Sequence, residues 1–133
     1  GNEYATTPNI DALASEGMVY DFALTTAPIC APSRSTLASG LYATSLGTQH
    51  LRSEIPFPED LKTLPEVLSQ NGYFTTNRDK TDYNFDPKGM WDHWSSEYAP
   101  WRNRPEGKPF YSFINIGPSH EGSVIPLKSI TTL

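Results

Sequence analysis

The sequence has few of the features that would place it in a specialised class of protein. Cys30 is its one cysteine, and a single cysteine cannot form a disulfide within the chain, so the redox compartment stays open. No apolar run approaches the length needed to span a bilayer. Ten basic residues stand against fifteen acidic ones, for a formal net charge of -5, without a basic cluster. We therefore expect neither a membrane span nor a nucleic-acid partner.

The chain does contain the pattern of a folded domain with amphipathic helices. Its 133 residues, 37% of them hydrophobic, suit one domain with a core. The segment TTPNIDALASEG, residues 6–17, predicts a short helix that starts at Pro8 and ends at Gly17. The segment LKTLPEVLSQNGY, residues 61–73, repeats this pattern with Thr63 as the N-cap.

Three other segments predict strands. They are MVYDFALTT at 18–26, YFTTN at 73–77 and PFYSFINIG at 109–117. The last is a nearly continuous apolar run, as expected of a strand covered on both faces of a sheet. Residues 78–108 show no periodicity and predict a long surface excursion. The alternation of helices and strands indicates an α/β fold.

The surroundings of Cys30 indicate a binding site for an anion. Pro32 is favoured as a first helical residue, and the sequence can continue the helix to Gly40, so Cys30 lies at or just before a helix N-terminus. That end of a helix carries a partial positive charge. Arg34 follows one turn later on the same face. A structural cysteine, with Arg34 in a surface ion pair, is the alternative that the spacing leaves open.

The segment CAPSRSTLASG, residues 30–40, resembles the signature of the type I sulfatases, in which Cys30, Pro32, Ser33, Arg34, Leu37 and Gly40 fall in register. The resemblance implies an alkaline-phosphatase-like sandwich with a mainly parallel central sheet. It also implies that a formylglycine-generating maturase oxidises Cys30 to formylglycine. One hydroxyl of the hydrated aldehyde would then attack sulfur, and the second would allow the sulfated intermediate to expel sulfate.

Two further segments extend the resemblance. LPEVLSQNGYFTTNRDKTDYNF, residues 64–85, is similar to the second family segment, with Gly72, Tyr73, Thr75 and Lys80 in register. Asp79 replaces a glycine of that pattern, and Asp82 stands where a histidine is usual. FYSFINIGPSHEG, residues 110–122, is similar to the strand that leads to a substrate histidine, here His120.

The resemblance implies a role for each matched residue. Arg34 would hold the hydrated aldehyde, Lys80 would bind sulfate oxygens, and His120 would assist the departing alcohol. Asp82 and His50, in GTQHLRSE, are further candidates for substrate binding. The implied substrate is a sulfated glycan or a small sulfate ester. The family resemblance favours an extracytoplasmic location.

The resemblance also implies one divalent cation, usually Ca²⁺, with Cys30 as formylglycine among its ligands. The family takes its other ligands from segments that this sequence does not contain, and Asp11 and Asp21 are not expected to replace them. We therefore interpret residues 1–133 as the N-terminal part of a sulfatase catalytic domain, with an incomplete fold. Whether these residues act alone is open.

Three other functions remain open at this point. Phosphonate monoester and phosphodiester hydrolases of the alkaline phosphatase superfamily share the formylglycine motif. An inactive remnant would keep the motif without its metal. A carbohydrate-binding surface would use the aromatic residues of the 78–108 segment, which could instead pack onto the core; these residues are Trp91, Trp94, Tyr98 and Trp101.

Overall fold

The computed structural model describes residues 4–97 and 100–123. It contains four α-helices and three strands in these ranges: α1 (Pro8–Glu16), α2 (Cys30–Ser39), α3 (Ala43–Leu46), α4 (Leu64–Gln70), β1 (Phe74–Arg78), β2 (His93–Ser95) and β3 (Phe110–Ile114). Short 3-10 turns cover Pro100–Asn103, Gly117–Ser119 and Glu121–Ser123. In these ranges, no helix is both long enough and apolar enough to cross a membrane.

The three strands form one parallel sheet in the order β2-β1-β3. Thr76 of β1 pairs with His93 of β2 on one side and with Ser112 of β3 on the other. Because the strands are parallel, the residues that follow β1 and β3 emerge at the same edge of the sheet, where α/β proteins bind their ligands. The predicted α/β class is confirmed.

The three predicted helices are confirmed. Helix α2 begins at Cys30, so Pro32 is its third residue rather than its first, and Gly40 ends it with φ 71°. Helix α4 begins with a capping box formed by Thr63 and Glu66. The Glu66 carboxylate accepts hydrogen bonds from the backbone N–H and from the hydroxyl of Thr63, at 2.7 and 2.6 Å. The local signals therefore predicted these helix ends correctly, except that α2 begins two residues before Pro32.

The prediction of a surface excursion over 78–108 is wrong in two respects. Phe85 and Met90 are buried in the main apolar cluster with Ala38 and Leu46, and His93–Ser95 is a strand of the sheet. The cluster lies between α2 and this segment, and it is flanked by the half-buried rings of Phe57, Tyr83 and Trp91. The apolar residues that enter the core lack a helical or strand period, and for that reason the sequence did not reveal them.

The predicted strand at 18–26 is also wrong. The structure shows an irregular segment there, and its apolar side chains are exposed, with Phe22 at 93% and Leu24 at 96%. No strand of the described residues pairs with it, and an alternating pattern without a partner does not form a strand. Strand β3 is confirmed, but it is not covered on both faces, because Phe110 and Ile114 at its ends are exposed and its middle residues are half-buried.

Candidate active site

An open cavity of about 750 Å³ lies at the edge of the sheet where β1 and β3 end. Its walls come from the start of α2, the turn after β1 and the segment after β3. Four residues singled out from the sequence line this cavity: Cys30, Arg34, Lys80 and His120. The parallel sheet brings them together, although at least 46 residues separate Cys30 and Arg34 from Lys80 and His120.

Cys30 occupies the first position of α2 and is half-buried. The hydroxyls of Thr25 and Ser33, which are hydrogen-bonded to each other at 3.1 Å, line the cavity beside it. The first turn of an α-helix has backbone N–H groups without partners inside the helix, and these favour a negatively charged ligand. The position of Cys30 therefore suits a side chain that contacts a bound anion.

Arg34 is held on several sides by the protein. Its Nη1 donates to Asn115 Oδ1 at 2.7 Å, its Nη2 donates to the Lys80 carbonyl at 2.5 Å, and its Nε lies 3.4 Å from the Thr81 carbonyl. The rings of Tyr83 and Phe113 lie on the guanidinium, each with its centroid 5.2 Å from Cζ. Within the described chain these polar partners are amide and carbonyl oxygens, so Arg34 is not the surface ion pair of the alternative interpretation.

Tyr83 supports this arrangement as a neutral phenol. Burial raises the pKa of Tyr83, and the nearby Arg34 guanidinium only partly opposes this effect. The ring thus presents an uncharged face to the guanidinium at neutral pH.

Lys80 sits in a turn with an unusual backbone. Asp79, which precedes it, has φ 70°, a conformation that glycine adopts freely and that Asp tolerates better than most residues. This explains why Asp can replace the glycine of the family pattern. The Asp79 carbonyl accepts a hydrogen bond from Trp94 Nε1 at 2.6 Å, and the Asp79 N–H donates to the Ser95 carbonyl at 2.7 Å.

Asp82 lies beside the cavity rather than in its wall. Its carboxylate pairs with Lys80 Nζ at 3.0 Å and with Arg52 Nε at 3.4 Å. Asp82 and Arg52 line a neighbouring cavity of about 490 Å³. Asp82 therefore contacts the candidate site through the Lys80 ammonium.

The two candidate histidines lie in different places. His120 follows β3 and lines the cavity, and its Nδ1 accepts a hydrogen bond from the Gly122 N–H at 3.0 Å. His50 is exposed and is not among the residues that line this cavity. The buried Asn84 side chain donates a hydrogen bond to the His50 carbonyl at 2.6 Å and holds the loop of His50 outside this cavity.

The described residues do not form a calcium site by themselves. Within 4–97 and 100–123, no group of three or more His, Cys, Asp and Glu side chains is close enough to hold a metal ion. Asp79 is the one carboxylate among the residues that line the cavity, and Asp11 and Asp21 are exposed elsewhere. Calcium, which favours six to eight oxygen ligands, does not fit this donor set.

Asn115 was not predicted as a site residue from the sequence. It directly follows β3, lines the cavity and bonds to Arg34. Its place after a strand of a parallel sheet is the signal that could have identified it.

The aromatic residues of the 78–108 segment mostly pack against the sheet. Trp91 is stacked on Tyr111 with centroids 5.9 Å apart, and Trp101 is stacked on Phe110 at 5.2 Å. Trp94 is half-exposed and holds the Asp79 carbonyl. These contacts favour packing over an open carbohydrate-binding surface, although Tyr98 lies outside the described residues.

The chain is similar to known sulfatases over nearly all of its length. A protein-family model described as Sulfatase matches residues 1–123. An ulvan-active sulfatase of Formosa agariphila is 37% identical, over 93% of this chain and 23% of the relative. An N-acetylglucosamine-6-O-sulfatase of Bacteroides thetaiotaomicron is 33% identical over 71% of this chain and 16% of the relative. Bovine arylsulfatase A is 29% identical over 91% of this chain and 22% of the relative. The chain thus spans less than a quarter of the length of these relatives.

Proposed function

Because this chain belongs to the sulfatase family, we propose that the protein containing it hydrolyses sulfate esters of carbohydrates through a formylglycine made from Cys30. The observation that carries this proposal is the shared cavity of Cys30, Arg34, Lys80 and His120. The printed names of the ulvan and N-acetylglucosamine sulfatases support a carbohydrate substrate.

The cavity presents a positively charged side chain and N–H groups, which suit the negative charge of a sulfate ester. The Lys80 side chain is 31% exposed, so its ammonium can bind a sulfate oxygen. The ion pair with Asp82 holds the ammonium in place. The start of α2 adds backbone N–H groups. Such preorganised donors stabilise negative charge as it moves to the leaving oxygen.

Arg34, which lies one turn after Cys30 on α2, acts at the same anion. An arginine has five N–H donors, and three of its nitrogen atoms already bind protein oxygens. Its remaining N–H groups can orient the oxygen atoms carried by residue 30. His120, at the rim, would donate a proton or a hydrogen bond to the departing alcohol. When it is present, the hydrated formylglycine supplies the attacking hydroxyl.

Members of the sulfatase family generally use a divalent cation. The described residues do not provide its site, so we assign the remaining calcium ligands to parts of the protein outside these residues and derive no catalytic step through the ion. We also propose that residues 1–133 are the N-terminal part of a catalytic domain; the ulvan-active relative, of which the chain covers 23%, is a longer protein. An extracytoplasmic location and a formylglycine-generating maturase remain predictions from the family.

The test compares two ester classes in one preparation. The full-length protein that contains this chain, made together with a formylglycine-generating enzyme, is assayed in parallel on an aryl sulfate and on an aryl phosphodiester. We expect faster turnover of the sulfate, and we expect Cys30→Ala to abolish it because the nucleophile is lost.

Two outcomes would contradict the proposal. Faster turnover of the phosphodiester would favour a phosphodiesterase of the same superfamily. No turnover of either ester, in a preparation with confirmed formylglycine and added calcium, would favour an inactive remnant.

A further inference from the structure

The turn that carries Lys80 is held by three side chains, which we call the carbonyl cluster: Arg34, Asn77 and Asn115. Each donates a hydrogen bond to the Lys80 carbonyl, from Nη2 at 2.5 Å, from Nδ2 at 3.2 Å and from Nδ2 at 3.3 Å, respectively. A carbonyl oxygen has two lone pairs, so three donors around one oxygen indicate a position that the fold defines tightly.

Asn115 connects the members of this cluster. Its Oδ1 accepts the hydrogen bond from Arg34, and its Nδ2 donates to the Arg78 carbonyl as well as to Lys80. The same Nδ2 lies 3.4 Å from Asn77 Oδ1. An amide can do this because it has both a donor and an acceptor. One side chain after β3 thereby joins the end of β1, the Lys80 turn and helix α2.

The turn needs such support because its backbone is unusual. A left-handed residue other than glycine is strained and persists when its surroundings hold it. Asp79 is left-handed, with φ 70°, and Lys80 directly follows it. Trp94 and Ser95 hold the Asp79 side of the turn, and the carbonyl cluster holds the Lys80 side.

We propose that Asn115 is a positioning residue that fixes the Lys80 ammonium in the candidate active site by holding the Lys80 carbonyl and Arg34 together. This inference rests on the proposed function. Asn115 lines the cavity, and its hydrogen bonds to Arg34 and to the Lys80 carbonyl are the contacts through which it would act. An error of about 1 Å in the placement of a binding group can lower a rate by about 100-fold.

The test is a double-mutant cycle in the full-length protein with Cys30 converted. Asn115→Leu keeps the approximate shape and the neutral charge but removes both the donor and the acceptor. We expect it to lower kcat/KM for an aryl sulfate by roughly 10- to 100-fold and to weaken the binding of inorganic sulfate by roughly two- to tenfold. In a Lys80→Ala background the ammonium is absent, so the same substitution should change either quantity only a few-fold. Asn115→Ala serves as the second variant if Asn115→Leu does not fold.

Ser112→Ala is the matched control. It removes the hydrogen bond from Thr76 Oγ1 of β1 to Ser112 Oγ of β3, at 3.0 Å. Neither residue lines the cavity. We expect its turnover and sulfate affinity to equal those of the unmodified protein.

The outcomes separate this inference from the proposed function. Equal losses from the Asn115 substitution with and without Lys80, in a protein that turns over sulfate esters, would overturn the positioning role and leave the function standing. Coupled losses in sulfate binding, in a protein that turns over no sulfate ester, would support the positioning role and overturn the function. A loss in Ser112→Ala as large as that in the Asn115 variants would also overturn the positioning role.

Discussion

Arg34 joins three parts of the chain through one planar group. Its two Nη atoms bind Asn115 and the Lys80 carbonyl, while the rings of Tyr83 and Phe113 cover its faces. A lysine at the same place would keep the positive charge but lose both the fork and the stacking. The planar shape of Arg34 therefore contributes to the site in addition to its charge.

We therefore expect Arg34→Lys to lower kcat/KM for an aryl sulfate by about 100-fold or more, because Lys80 and the groups at residue 30 lose their common support. The assay uses the full-length protein, with rates divided by the measured formylglycine content, since the substitution alters the segment that we propose a maturase reads. Circular dichroism checks that the fold is retained.

Arg104→Lys provides the control for this prediction. Arg104 also stacks on two aromatic rings, those of Trp101 and Phe110, but it does not line the cavity. Turnover should stay within about twofold of normal, as for most surface substitutions. Near-normal turnover of Arg34→Lys would mean that turnover does not need the planar fork and the stacking of Arg34, and would contradict this prediction.

At the scale of single residues, the sequence predicted which residues line the candidate site better than it predicted the contacts that they make. The sequence predicted three segments of the site, which contain Cys30, Lys80 and His120. The fold brings all three to one cavity. The same reasoning included His50, which a buried Asn84 holds away from it. Asn84 and Asn115 act through hydrogen bonds to residues more than 30 positions away. Such contacts leave no local pattern in a sequence, and Asn115 is marked only by its place directly after β3.

At the scale of elements, helix ends were predictable because their signals are local. Thr63 and Glu66 form a capping box within four residues, and the structure contains this box, with the Thr63 N–H donating to the Glu66 carboxylate. The strand at His93–Ser95 was not predictable, since it has three residues and forms by pairing with Thr76–Arg78. The failed strand at 18–26 shows the same dependence, because alternation alone does not supply a neighbour.

The capping box leads to a prediction for stability. Glu66→Ala leaves the Thr63 N–H and hydroxyl without their acceptor and should lower the free energy of unfolding by about 1 kcal/mol. Urea unfolding of the full-length protein, followed by circular dichroism, measures this change. Sulfate-ester turnover should be unaffected, because α4 does not line the cavity.

The control is Glu59→Ala, which removes an exposed carboxylate from the loop before α4. We expect a change within about 0.5 kcal/mol, as for most surface substitutions. If Glu59→Ala and Glu66→Ala destabilise the protein equally, the effect is one of net charge and the capping box contributes nothing of its own.

At the scale of the whole molecule, the described residues expose much apolar surface. Between Met18 and Leu24, five apolar or aromatic side chains are at least 64% exposed, and folded domains rarely leave such a run uncovered. The sheet has three strands, and its outer strands β2 and β3 present unpaired edges within the described part. Both features fit the proposal that these residues form one part of a larger catalytic domain.

The central claim is that Cys30 is the precursor of a formylglycine. The most direct measurement is the state of Cys30 after expression of this chain together with a formylglycine-generating enzyme, read as the mass of the tryptic peptide that ends at Arg34 and as labelling by a hydrazide probe. Cys30→Ser is the matched control, and a sulfatase peptide known to be converted verifies the enzyme in the same cells. We predict the mass of an aldehyde and hydrazide labelling that Cys30→Ser abolishes. An unmodified thiol at Cys30, beside a converted reference peptide, would contradict the account.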